Sequence, residues 1–358
     1  MTFFIILTIL ILLSCTAYLV HKMKQVPFIK RTKHKKITYV AFVFLILSCV
    51  LFLRSIFMGL FIYLLLFSIV ADLIGIGLRA IGGKTYQIWN KIYFHGLLVV
   101  FLSILITIYG YISATNPTMT EYTIEVTKIS EQEKPIHVFF VSDIHLGTAV
   151  KEKQMDTLLQ KVKDYQPEYI FLGGDIADES SYESILDYSL EIFDQMQEIG
   201  KVYYVRGNHE GYKETINDYV DALSSIGIKV LEDETHLVDD RFYVIGRKDA
   251  RYNQDIQVRA EISDLTQGID SSKPIILLDH QPVDTEAAKD AGVDLQLSGH
   301  THSGQIFPGS LISGLVNEVN YGHVKEEDYQ ILVSSGMGCW GFPMRVGTKA
   351  EMLSIIIK

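Results

Sequence analysis

Five short apolar runs in the second half of the chain each end in residues that can bind a metal ion. They are Asp143 and His145 in SDIHLG, Asp175 in GGDIAD, Asn208 and His209 in RGNHEG, His280 in LDHQP, and His300 and His302 in GHTHSG. A single histidine after a strand is ordinarily a turn or core residue, and a single aspartate there is ordinarily an N-cap. Five in series point instead to one shared site. The donors are carboxylates, imidazoles and a carboxamide without thiolate, a set suited to Mn, Fe or Zn rather than to Ca or a structural cysteine site. Two ions in one site require a carboxylate that both share. Side chains alternate along an extended strand, so Asp143 with His145, and His300 with His302, each point into one cleft. Glycines at 147, 173, 174, 207, 299 and 304 let the backbone turn sharply beside these donors.

The elements that must carry these residues are legible from the same runs. IHVFFVSD, YIFLGGD, KVYYVRGN, PIILLDH and VDLQLSGH each hold a few apolar residues before a polar or glycine-rich turn, which predicts strands. Between them, Lys153–Tyr165 and Tyr182–Glu198 have helical spacing. The pattern predicts a layered α/β domain with donor-bearing loops at strand ends, the usual place for sites in open sheets.

The first 118 residues differ in kind. They hold 11 Lys/Arg and one Asp/Glu, whereas the remaining 240 hold 21 and 41, so a front of charge +10 precedes a back of −20. Apolar stretches at about 3–20, 37–53, 56–78 and 92–112 each approach the length that crosses a bilayer, which predicts four transmembrane helices. Seven Lys/Arg lie between Lys22 and Lys36, and three between Arg79 and Lys91. The excess of positive charge in these two loops predicts that they stay cytoplasmic and that residues 119–358 lie outside the cytoplasm. The first stretch lacks a basic leader, so it reads as a retained span rather than a cleaved signal. Asp72, the one carboxylate within a span, reads as snorkelling to the interface, and no role follows for it. The acidic back half repels phosphate polymers, which argues against nucleic acid as a partner. Three cysteines, two of them within apolar runs, support neither a disulfide framework nor a thiolate cluster.

In their order D-x-H, G-D, G-N-H-[DE], a lone His and G-H-x-H, the five blocks resemble the calcineurin-like metallophosphoesterases, over about residues 136–358. The resemblance implies a four-layer αββα sandwich with a dinuclear centre at the strand ends. Carried over residue by residue, it implies a first ion on Asp143, His145, Asp175 and His302. A second would lie on Asp175, Asn208, His280 and His300, with Asp175 bridging and a shared hydroxide as nucleophile. Two such cations activate water and stabilise the attacking and leaving oxygens of an in-line displacement.

His209 is implied as general acid or transition-state donor. Asp178, grouped with it as a catalytic candidate, either orients a histidine or caps a helix, and Glu210 is a weaker candidate of the same kind. Arg345 in the tail SSGMGCWGFPMRVGT either binds a substrate phosphate or forms a structural ion pair. Cys339, with no partner, reads as packing. That tail and GHTHSGQIFP resemble the membrane-attached bacterial branch of the family, which usually has glycine where Ser303 stands.

The expected activity is therefore hydrolysis of a phosphate mono- or diester, on a lipid or envelope phosphoester at the bilayer. Two alternatives stand beside it, the first within the enzyme class and the second outside it. One is cleavage of a nucleotide-sugar pyrophosphate such as UDP-diacylglucosamine in lipid A synthesis, which requires a cytoplasmic site. The other is a non-catalytic membrane sensor or scaffold, which would not need an unbroken donor set.

Overall fold

A computed structural model describes residues 13–22, 36–37, 40–41, 43–44, 56–93, 96–130, 132–211, 214–252, 255–256 and 259–358. The chain divides into two compact units, Met1–Ile112 and Ser113–Lys358.

In the first unit two described helices are long and apolar enough to cross a membrane, α1 (Ile56–Ile81) and α3 (Leu97–Thr115). They correspond to the third and fourth expected spans. The first two expected spans lie largely outside the described residues; within those, 13–22, 36–37, 40–41 and 43–44 are helical. The expected basic loop from Arg79 to Lys91 is instead mostly a helix, α2 (Gly83–Tyr93). Its sequence spaces Tyr86, Trp89 and Tyr93 at helical intervals, and the Trp89 and Tyr93 rings stack 6.1 Å apart. Lys22 pairs with Asp72, and Tyr18 Oη donates to Asp72 Oδ2 at 2.6 Å. Asp72 is thus a neutralised partner among helices.

The second unit opens with β1 (Thr118–Ile124) and β2 (Ile136–Val141), then α4 (Glu152–Tyr165), β3 (Tyr169–Leu172), α5 (Glu183–Gln197) and β4 (Lys201–Tyr204). Next come α6 (Glu214–Ser225), β5 (Lys229–Val230), β6 (Glu234–Val238), β7 (Phe242–Gly246), the short β8 (Arg251–Tyr252) and β9 (Asp255–Ile256), and α7 (Ile262–Leu265). The chain ends through β10 (Ile275–Leu278), α8 (Thr285–Asp290), β11 (Leu295–Ser298), α9 (Gly309–Val316), β12 (Gly322–Glu326), β13 (Tyr329–Val333) and β14 (Glu351–Ile357).

Two six-stranded mixed sheets form, in the orders β1-β14-β2-β3-β4-β5 and β12-β13-β11-β10-β7-β6. Alternation along each strand decides the layers. From β2, Phe139 and Val141 pack with Met155, Leu158 and Val162 of α4 and with Ile192 and Phe193 of α5. Val138 and Phe140 face the other way, against Val244, Ile276, Leu278, Leu295 and Leu297 of the second sheet. The outer face of that sheet, Ile275, Leu277, Ile331 and Val333, packs with Ile262 and Ala288 of α7 and α8. Each such buried Leu, Ile or Phe stabilises the fold by about 1.5–3 kcal/mol relative to exposure. Helix α4 shows why the segment is helical: Met155, Leu158, Leu159 and Val162 form one apolar stripe. Gln154 Oε1 accepts from Lys151 N at its start, and Gln166 turns left-handed at its end, before Pro167.

Candidate metal centre

The donor segments follow β2, β3 and β4, parallel neighbours in one sheet, and β10 and β11, parallel neighbours in the other. Their C-terminal ends converge on a cleft of about 760 Å³ floored by Asp175, Asn208, His209, His300 and His302. Asp143, His145 and His302 form one group with donor atoms within 4.8 Å of one another, and Asp175, His280 and His300 form another. Within the first, His145 Nε2 lies 3.1 Å from His302 Nε2, and His302 Nε2 lies 3.4 Å from Asp143 Oδ1. Asp175 stands between the groups, its Oδ2 3.8 Å from His145 Nε2 and 3.1 Å from His280 Nε2.

The donors reach the cleft by a route that strand alternation does not describe. Strand β2 ends at Val141 and β11 at Ser298, so none of the paired donors lies on a strand. Instead Asp143 (φ 52°), His145 (47°), Asp175 (53°), His300 (66°) and His302 (49°) are all left-handed. That conformation costs a non-glycine residue about 1–2 kcal/mol, and surrounding structure must hold it. Hydrogen bonds do so: Asp143 N donates to Gly174 O at 2.9 Å, His145 N to Asp175 O at 3.0 Å, and Gly338 N to Asp143 O at 2.7 Å. Gly207 allows close approach, since a Cβ there would lie 2.2 Å from Asp175 Oδ1.

The residues present fit divalent cations. His280 Nδ1 contacts Gly173 O at 2.7 Å; only a donor satisfies a carbonyl, so Nδ1 carries the proton and Nε2 of the neutral ring is a lone pair. That fully buried Nε2 makes no hydrogen bond although it faces the Asp175 carboxylate. Two electron-pair donors this close require positive charge between them. Burial disfavours a charged His280, yet the Asp175 and Asp143 carboxylates outweigh burial and hold its pKa well above the imidazole range, so a proton on Nε2 supplies that charge in the metal-free chain and a bound cation would take its place. Burial likewise opposes an ionised Asp175, but His280, His209 and His145 keep its pKa well below the carboxylate range. For His302, burial and then His145 and Arg345 push the pKa well down, which leaves the ring neutral. Asp175 and His302 thus stand in the forms that bind metal, ionised carboxylate and neutral imidazole, whereas burial raises the Asp143 pKa, which a bound cation would bring down.

The supporting residues occupy distinct places. Asp178 accepts from His145 Nδ1 at 3.0 Å, which aims Nε2 at the first group. It does not cap α5, whose N-cap is Tyr182, and it sits behind His145, so it is a positioning residue rather than a catalytic one. Burial raises its pKa, but hydrogen bonds from His145 and Ser180 bring it to about 2. Asp178→Asn is expected to weaken metal binding about 10–100-fold with the fold retained, read from the metal concentration for half-maximal activity.

Glu210, fully buried, accepts from the backbone N–H of Ile176 (2.6 Å), Gly207 (2.8 Å), Asp175 (3.1 Å) and Ala177 (3.2 Å), clasping the loops after β3 and β4 together. His209 N donates to Asp175 Oδ1 at 2.8 Å, and its Nδ1 lies 3.8 Å from Glu179 Oε2. Against burial, Glu179 and Asp175 raise the His209 pKa.

The expected contact of Arg345 with substrate is not what the structure shows. Arg345 is fully buried, and its guanidinium donates to the carbonyls of Ser335 (2.5 Å), Gly338 (2.6 Å) and Gly336 (3.1 Å) and contacts His302 Nδ1 at 3.2 Å. It holds the tail against the loop of His302. Cys339 is also buried, beside Ala114 and Ala149, and burial raises its thiol pKa. Sequence reading missed Glu179 and Trp340 at the cleft, and Arg247 and Arg259, which pair with Asp279 beside His280 at 3.2 and 3.0 Å. An isolated acid, tryptophan or arginine carries no spacing signal that could have found them.

Residues 136–304 match the family model described as calcineurin-like phosphoesterase. A transmembrane protein with metallophosphoesterase domain from Danio rerio is 29% identical over 277 residues, 73% of this chain and 62% of that one. An uncharacterized metallophosphoesterase from Helicobacter pylori is 31% identical over 68% of this chain and 64% of its own length. Another, from Aquifex aeolicus, is 30% identical over 265 residues, 72% of this chain and 98% of that one. The chain thus spans less than two thirds of the Danio and Helicobacter proteins.

Proposed function

The chain belongs to the calcineurin-like metallophosphoesterase family, and on that premise we propose that it hydrolyses phosphate mono- or diesters with two divalent cations while held in a membrane. The observation that carries this reading is the pair of donor groups, Asp143–His145–His302 and Asp175–His280–His300, joined by Asp175 and aimed at one cleft. Asn208, on the cleft floor, completes the second set in this reading. When bound, the cations supply activated water and neutralise the phosphoryl oxygens. The chain's own residues do the rest. Asp178 and Glu210 fix the donor loops, and His209, whose proton Glu179 and Asp175 help to retain, passes it to the leaving oxygen.

Mn, Fe and Zn all suit the donors. Four spans, with the catalytic unit outside the cytoplasm, remain the proposed topology; the basic segments Lys22–Lys36 and Arg79–Lys91 support it. The substrate in this reading is a lipid or envelope phosphoester. The test is the full chain reconstituted with Mn, Fe or Zn and assayed on lipid phosphates, nucleotides, nucleotide-sugar pyrophosphates and polymer-linked diesters. Metal-dependent turnover of a mono- or diester is expected. Turnover of the pyrophosphate alone, or of nothing, would overturn the proposal.

A further inference from the structure

Helix α9 is inside out for a water-facing surface. Leu311, Ile312, Leu315 and Val316 occupy one face of it and are 61, 63, 85 and 75% exposed, whereas Gly309, Ser310 and Ser313 are the less exposed residues. A helix on a soluble domain turns its apolar stripe inward. This one turns small and polar residues inward, and Ser313 Oγ donates to Asn320 Oδ1 at 2.5 Å. From Ser303 to Asn317 the chain holds no charged residue, within a half that carries 62. Contiguous exposed apolar surface of this kind marks a protein or membrane contact.

The helix is seated on the metal-centre loop. Gly304, two residues past His302, meets Gly309 and Ser310 so closely that a Cβ on Gly304 would lie 2.5 Å from them. At the cleft, Trp340 is 58% exposed, its backbone held by Gln305 through N–H to Oε1 at 2.8 Å and Nε2 to C=O at 3.0 Å. Phe307, also exposed, is fixed by its N–H to Val346 O at 2.8 Å. The residue before Trp340, Cys339, packs on Ala114 in the last turn of the apolar helix α3. The patch therefore adjoins the cleft rim through Gly304, and only two residues separate the end of the apolar helix α3 at Thr115 from β1 at Thr118, so this unit is tethered directly to that helix.

We infer that α9, Phe307 and Trp340 form an insertion surface that dips into a lipid bilayer and presents the cleft to phosphoesters at headgroup level. The occupant is lipid, because the patch is apolar and uncharged and the same chain carries helices α1 and α3, long and apolar enough to cross a bilayer, the second of them leading directly into this unit. The acidic unit around it repels anionic headgroups, so insertion is apolar in origin and proceeds in zwitterionic membranes. Only the last step, delivery of a lipid phosphoester to the cleft, rests on the hydrolase reading.

The chain has two tryptophans, so Trp89→Phe leaves Trp340 as the sole emitter. In the full chain reconstituted into phosphatidylcholine vesicles, doxyl-labelled lipid is expected to quench Trp340 at least about twofold, and Leu311→Glu with Leu315→Glu to remove the quenching. The same pair of substitutions is expected to lower hydrolysis of a bilayer-embedded phosphoester about tenfold and to leave a water-soluble aryl phosphoester within about twofold. Quenching without any hydrolysis would support insertion and sink the hydrolase reading. An unquenched Trp340, or an α9 that crosslinks to a second copy of the chain in place of lipid, would overturn the inference.

Discussion

Replacing Asp175 with asparagine is expected to lower phosphoester hydrolysis by about 10³-fold or more, a loss of about 4 kcal/mol in transition-state stabilisation. The size follows from where this carboxylate stands. Its Oδ2 faces His145 of one donor group and His280 of the other, so removal of its charge weakens both sets at once. The asparagine keeps an oxygen that can accept from His209 N, a contact of 2.8 Å, so the loop geometry survives. The variant should therefore fold, with an unchanged far-UV spectrum, and bind less metal by elemental analysis. Full activity in a variant that folds would show that Asp175 bridges nothing.

His209→Ala is expected to behave differently, with kcat reduced about 10²–10⁴-fold and both ions retained. His209 groups with His145 and Asp178 rather than with the two sets that meet at Asp175, and it lines the cleft. A residue that protonates the departing oxygen matters most when that oxygen is basic. The loss should accordingly be largest for alkyl esters and small for a nitrophenyl ester, whose leaving group departs as the anion. Steady-state kinetics over a leaving-group series read this directly. An equal loss across the series, or loss of metal, would assign His209 to structure instead.

Much of the site was legible because its chemistry resides in residue types. Asp143, His145, Asp175, Asn208, His280, His300 and His302 had only to follow apolar runs for their convergence to be expected, and parallel strands deliver it. Helices α4 and α5 were legible from apolar spacing to within one residue at each end. The rest depends on partners distant in sequence. The left-handed turns at the donors are fixed by hydrogen bonds such as Gly338 N to Asp143 O, which local pattern cannot encode. Arg345 looked like an anion ligand because nothing in its neighbourhood foretold carbonyls from Ser335 to Gly338 closing around it. The stretch between α1 and α3 read as loop on its charges, whereas Tyr86, Trp89 and Tyr93 carry helical spacing that outweighs three scattered cations. Helix α9 was hidden for the opposite reason: its composition is that of a core helix, and only the structure turns it outward.

In the proposed reading, two cations held through Asp175 make this chain a hydrolase. This is tested most directly by titrating the metal-stripped full chain with Mn while hydrolysis of a phosphodiester is followed. Activity is predicted to be absent without metal, to rise until two equivalents are bound per chain, and to vanish on chelation. Hydrolysis that persists in the stripped chain, or that saturates with a single equivalent, would contradict it.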